Sequence, residues 1–120
     1  GEAAYARGLL RGQAVNEREQ TAARRLRGRV DWARIVAAAE AERGRSWAEL
    51  VRRHGEWGRD GALYFAVRHG GHRLAEVAER IAGLSYMGAA QGIRRFGQAL
   101  ERDPERQRFI QRLRKQLSKV

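Results

Sequence analysis

The chain of 120 residues has no cysteine and one proline, Pro104. Without cysteine there is no disulfide, no thiolate nucleophile and no Cys-type zinc site. That lack also fits a reducing compartment. Lysine is nearly missing as well: Lys115 and Lys119 are the two lysines among 25 basic residues, and the rest are arginine. A GC-rich genome accounts for arginine in place of lysine, but not for the sign of the net charge. No run of about 18 apolar residues occurs, so nothing in the sequence reads as a membrane span. No charged stretch leads into an apolar segment at the start, so no secretory signal is expected. Hydrophobic residues make up 42%, enough for a core and too many for a disordered chain.

What is present is positive charge. The formal balance is +11, a self-repulsion that commonly goes with a polyanionic partner. It is unevenly spread. Residues 1–44 carry nine basic and six acidic side chains, residues 45–85 seven and five, residues 86–120 nine and three. The last third therefore holds more than half of the excess.

Apolar residues recur at intervals of three and four, not two, which predicts an all-α chain. Length allows one domain, 1–120, with a helical half 1–72, a two-helix unit 73–102 and a last helix 103–120. A short helix is expected over 2–12, and a second from the Asn16 cap to about Arg27, stopped by Gly28. Asp31 is the expected cap of a third, with Trp32, Ile35, Val36 and Ala39 on one face and Gly44 closing it. Ser46 and Glu49 have capping-box spacing ahead of Trp47, Leu50 and Val51, with Gly55 as the stop. The next helix is expected from about Trp57 to His69, burying Leu63, Ala66 and Val67 before Gly70 and Gly71 break it.

Leu74, Val77, Ala78 and Ile81 then lie at i, i+3, i+4 and i+7. Gly83 supplies a turn, and Ser85 is a good N-cap for a helix over 85–102. Its apolar face is Ala89, Ile93, Phe96 and Leu100. Two short amphipathic helices joined by a tight Gly-containing turn form the pattern of a helix-turn-helix. Asp103 and Pro104 start the last helix, with Ile110, Leu113, Leu117 and Val120 as its stripe.

At about 100° per residue, the face of 85–102 opposite its apolar side is Met87, Gln91, Arg94, Arg95, Gln98 and Arg102. It carries three cations, two amides and no acid, with Glu101 at its flank. A helix fits the major groove, where Arg pairs with guanine and Gln with adenine. The leading part of such a helix does the reading. That selects Tyr86, Met87 and Gln91 at the base edges, and Arg94 and Arg95 at base or phosphate. Ser85 is a candidate phosphate contact where free N–H groups point. The competing reading is a polar face that simply meets water. Gly88 and Gly92 each cost about 1 kcal/mol relative to Ala. Close packing against the 74–82 helix would explain them; tolerated accident is the other reading.

Arg106, Arg108, Arg112, Arg114, Lys115 and Lys119 can run along phosphates or merely solubilise the last helix. The same two readings apply to Arg24, Arg25, Arg27 and Arg29. Trp32, Trp47 and Trp57 have apolar neighbours at helical spacing, which assigns them to the core rather than to base stacking. His54, His69 and His72 lack the spacing of a metal site, and no nucleophile elbow or phosphate loop appears, so neither cofactor nor catalysis is expected.

The stretch Leu74 to Gly83 followed by Leu84, Ser85 and Tyr86 resembles in spacing the helix-turn-helix of the DNA-binding domain of the replication initiator DnaA. Where that family has its Arg-Asp-His-Thr-Thr-Val reading motif, this chain has Leu84, Ser85, Tyr86, Met87, Gly88 and Ala89, so the initiator's sequence specificity does not carry over. A wider resemblance covers most of the chain. Trp32 with Ile35 and Val36, the string Arg53-His54-Gly55-Glu56-Trp57-Gly58-Arg59-Asp60, Leu63-Tyr64, Leu84-Ser85-Tyr86, Arg94-Arg95-Phe96 and Asp103 are similar to the C-terminal helical extension of REP-associated tyrosine transposases. Gly1-Glu2-Ala3-Ala4-Tyr5 is similar to the junction after their nuclease domain. Ala89, Ala90 and Gly92 depart from that pattern. The resemblance implies an accessory DNA-binding domain of a bacterial, cytoplasmic, nucleoid-associated transposase. The nuclease's paired histidines and catalytic tyrosine have no counterpart, and Tyr5, Tyr64 and Tyr86 lie in other contexts.

The expectation is therefore an all-α chain of six or seven helices whose C-terminal helix-turn-helix binds duplex or hairpin DNA, without a metal or membrane. The rival readings are a protein-interaction module that docks on a nuclease domain or dimerises through an apolar stripe, and a binder of RNA or of single-stranded or hairpin nucleic acid.

Overall fold

The computed structural model describes residues 29–117. The expected helices over 2–12 and 16–27 lie outside the described residues, as do Arg24, Arg25, Arg27, Lys119 and Val120. Within them the chain is all-helical, with six helices and no strand: α1 (Trp32–Arg43), α2 (Trp47–Arg52), α3 (Gly58–Arg68), α4 (Leu74–Glu79), α5 (Tyr86–Leu100) and α6 (Pro104–Leu117).

Local chemistry sets most of these boundaries. Gly44 ends α1 in the left-handed region (φ 66°) and donates its N–H to the Glu40 carbonyl, a conformation a side chain disfavours. Ser46 and Glu49 close a reciprocal capping box on α2. Asp31 precedes α1, but its side chain caps no N–H; its carbonyl receives Arg34 and Ile35 instead. Asp103 Oδ1 accepts from the Glu105 N–H at 3.0 Å, capping α6 as its sequence predicts.

Helix α3 is the hub and touches each of the other five. Two faces of it are used. Ala62, Leu63, Phe65 and Ala66 are buried, whereas Val67 is only partly covered. Gly61 has no side chain because Phe96 and Phe109 occupy its space: an added Cβ would stand 2.7 Å from Phe109 Cε2. Trp57 completes this aromatic nest, 5.1 Å from Phe109 and 5.6 Å from Phe96 between ring centres. The largest fully buried side chains are Phe65, Phe96, Ile35, Leu50, Leu63, Leu113 and Val77, drawn from all six helices. Trp32 is buried, and Trp47 meets it edge-on at 5.7 Å. The three tryptophans thus serve the core, as their spacing predicts.

Helix α4 is shorter than its periodicity suggests. It stops at Glu79, and Ile81 is buried from the following turn rather than from the helix. Apolar spacing reports which side chains are covered, and an irregular turn can cover Ile81 equally well. The stripe of α6, Ile110, Leu113 and Leu117, is buried within this fold with Phe109 beside it. It is therefore not a free surface.

Candidate nucleic-acid interface

The α4–α5 connection is built by three residues. Leu84 donates its N–H to the Ile81 carbonyl at 3.1 Å. Gly83 turns the chain at φ 82°. Ser85 then enters α5 in extended conformation and its Oγ accepts the Gly88 N–H at 2.9 Å. This cap satisfies one of the free donors at the helix start and fixes where α5 begins.

Once begun, α5 is held by its apolar face. Ala89, Ile93 and Phe96 are buried and Leu100 is partly buried. Gly92 is buried too, but its neighbour is Asp60 of α3, not the preceding helix. Gly88 faces Leu84 Cδ1 at 3.1 Å and Ser85 Oγ at 3.2 Å, measured from an ideal Cβ position. The packing expected against the 74–82 helix is thus replaced by contacts to α3 and to the connecting turn. Of the two, Gly92 marks the real constraint between helices.

The opposite side of α5 lies open. Ser85, Gln91, Arg94, Arg95, Gln98 and Arg102 are exposed, and Tyr86 and Met87 keep 55% and 63% of their surface in solvent. The structure therefore brings the sequence-selected side chains to the surface along one helix. Met87, Gln91, Arg94 and Gln98 run down its centre by helical geometry. Two of the set differ from the rest. Arg102 follows the helix instead of belonging to it, because α5 ends at Leu100 and Arg102 sits in the next turn, its N–H on the Ala99 carbonyl. Arg95 reaches Asp60 at 3.5 Å while staying exposed. Such a surface pair is weak, worth about 0–1 kcal/mol, so a phosphate can compete for this guanidinium.

A cleft of about 650 Å³ lies beside Arg95, with Arg52, Arg53, Arg59 and Arg106 in its walls. One wall is the turn from α2 to α3, the string Arg53 to Asp60. Its carboxylates are already engaged. Glu56 lies within 2.7 Å of Arg43 Nε and 3.3 Å of Arg45 Nε, and accepts the Gly58 N–H at 2.9 Å. Burial pushes its carboxyl up, but the Arg43 hydrogen bonds, the Gly58 amide and the two positive charges prevail and hold it below the usual range. Asp60 accepts from Arg59 Nη2 at 2.9 Å. Arg52 and Arg53 are exposed and make no ion pair among the described residues. Sequence reasoning gave these two no role.

The arginines of α6 divide. Arg106 pairs with Asp103 and lies over Trp57 at 5.1 Å, and Arg112 pairs with Glu42 at 3.1 Å. Arg108, Arg114 and Lys115 are exposed. Near the other end, Arg29 is joined to Glu76 at 3.1 Å. Of the two paired arginines, Arg106 is held within the fold, whereas Arg112 stays exposed in a surface pair for which a phosphate can also compete.

Of the histidines, His72 is buried with Nε2 against the Val30 carbonyl. His54 and His69 are exposed, and burial with the Arg114 and Arg68 charges holds the His69 imidazole below its usual value. Among the described residues no group of three His, Asp or Glu side chains converges to hold a metal ion.

No protein-family model, curated protein or solved structure matches this chain.

Proposed function

We propose that this chain binds duplex DNA, with α4, the turn and α5 acting as a helix-turn-helix and α5 lying in the major groove. The observation that carries this reading is the acid-free stripe of Met87, Gln91, Arg94 and Gln98, exposed on a helix whose other face is anchored in the core. A rigidly held helix with open amides and guanidinium groups suits base edges and phosphates. Ser85, Arg95 and Arg102 flank the stripe as backbone contacts, and Tyr86 stands at its leading end. The charge of residues 86–120, nine basic against three acidic, supports a polyanion as partner. In this reading the chain positions DNA for a transposase-like nuclease carried elsewhere, in a bacterial cytoplasm, and performs no chemistry itself. Among the described residues no helix is long and apolar enough to cross a membrane.

The rival docking module through the α6 stripe is less well supported, because Ile110, Leu113 and Leu117 are already buried in the fold. Binding of a labelled randomised duplex, followed by anisotropy across a salt series, tests the proposal. If about five phosphates are neutralised, log affinity falls against log salt with a slope near −4.5. Gln91→Ala and Arg94→Ala weaken binding. A flat salt response overturns the reading, and preferential competition by hairpin or single strand transfers it to those substrates.

A further inference from the structure

Tyr86 and Met87 are the exposed large hydrophobic side chains among the described residues. Both sit at the leading end of α5, and neither belongs to the core or packs against it. The first two turns of this helix, Tyr86 to Ile93, contain no charged residue. Arginine enters only at Arg94 and Arg95. The part of the helix that would meet base edges first therefore offers an amide, a thioether and a phenol ring, without a guanidinium.

That chemistry is selective. Guanine is read chiefly by Arg or Lys at O6 and N7; adenine is read by an amide at N6 and N7; thymine is distinguished by its C5-methyl group, which seeks an apolar partner. Met87 is exposed, flexible and polarisable, suited to such a methyl. Gln91 lies one turn further along the same stripe, a rise of about 6 Å. That rise corresponds to about two base-pair steps of 3.4 Å. Gly88 and Ala90 beside them are small and partly exposed, so the backbone can come close to the groove floor.

Resting on the DNA-binding reading, we propose that α5 is specific for A·T base pairs, with Met87, flanked by Tyr86, covering a thymine methyl and Gln91 holding an adenine about two steps away. The leading turns thus specify, while Arg94 and the cations behind it attach.

The test begins by selecting bound sequences from a randomised duplex pool, then remakes the best duplex with uracil for thymine, which removes only the methyl. Affinities of both duplexes are measured by anisotropy for the wild type, Met87→Ala and Met87→Leu. The selected motif is expected to contain A·T pairs, and uracil to weaken binding about fourfold for each covered methyl, the worth of one buried carbon. Met87→Ala binds both duplexes equally and more weakly than the wild type binds the thymine form. Met87→Leu keeps the discrimination. Equal binding of thymine and uracil duplexes by the wild type overturns the assignment, as does a motif made only of G·C pairs. Sedimentation showing a dimer that Met87→Ala disperses also overturns it, giving the apolar pair to a second copy of the chain. Complete absence of duplex binding instead removes the underlying reading, a result distinct from binding without methyl discrimination.

Discussion

Asp60 of α3 lies directly beneath Gly92 of α5, so that a Cβ on Gly92 would stand 2.8 Å from the Asp60 Cγ. Asp60 is not free to yield easily, because Arg59 Nε and Nη2 both donate to its Oδ1, at 3.1 and 2.9 Å. Two opposing effects follow for Gly92→Ala. Helix propensity favours alanine by about 1 kcal/mol. Overpacking a tight contact costs about 1–3 kcal/mol. The expected outcome is a net loss of about 1 kcal/mol in urea unfolding, with the slope unchanged. In an Asp60→Ala background the obstruction is gone, and the same change should stabilise by about 1 kcal/mol. A stabilising Gly92→Ala in the wild type would show that this contact does not set the approach of the two helices.

Glu56 ties the cleft wall to α1. Its side chain is only 3% exposed and sits 2.7 Å from Arg43 Nε. Removing one member of such a buried pair typically costs about 3 kcal/mol, because the other charge remains. Glu56→Gln is expected to lower stability by about that amount. The pH dependence has a definite sign. The carboxyl titrates below its ordinary value of 4.5 in the fold. Its contribution is therefore complete above about 4.5, and is lost as pH falls through the depressed native value. Chemical denaturation between neutral pH and pH 3 should show a shallower acid decline for Glu56→Gln than for the wild type.

Most helix ends were readable because local chemistry decides them, although Asp31 precedes its helix without capping it through its side chain. Ser46 with Glu49, Gly44, Gly83 and Ser85 each occupy the role their residue types predict. The open face of α5 was readable for the same reason, since 3.6-residue periodicity separates Ala89, Ile93 and Phe96 from Met87, Gln91 and Arg94. Contacts between distant segments were not. Nothing local pairs Gly92 with Asp60, or places Gly61 under Phe96 and Phe109. The early end of α4 was hidden because Ile81 is buried whether or not it is helical. Arg52 and Arg53 gave no periodic signal, and their place in one cleft with Arg95 arises only when α2 and α5 each pack on α3.

That packing makes a prediction for the cleft. Arg52 and Arg53 are exposed, line the same cleft as Arg95 and stand outside the stripe on α5. If they touch phosphates, they add affinity without sequence information. Replacing both with serine should weaken binding to every duplex by a similar factor. It should also make the salt slope shallower by about 1.8, or 0.9 for each lost contact. The selected sequence motif should stay the same. A changed motif with an unaltered slope would place these arginines at base edges.

Arg94 and Leu113 separate binding from folding. Arg94 is exposed at the centre of the α5 stripe, whereas Leu113 is fully buried on α6. Reversing Arg94 to Glu places a carboxylate where phosphate or a base acceptor is expected. Affinity should fall by about tenfold or more, while stability changes by no more than about 0.5 kcal/mol, as for other surface substitutions. Leu113→Ala empties a core position and should cost about 2–5 kcal/mol of stability. The molecules that remain folded should bind DNA as the wild type does, because Leu113 has no exposed surface to offer a partner. Thermal unfolding together with anisotropy below the transition distinguishes these effects. A docking module that used the α6 stripe would give the reverse pattern. Arg94→Glu would leave partner binding intact, and Leu113→Ala would weaken it even at temperatures where the chain is fully folded.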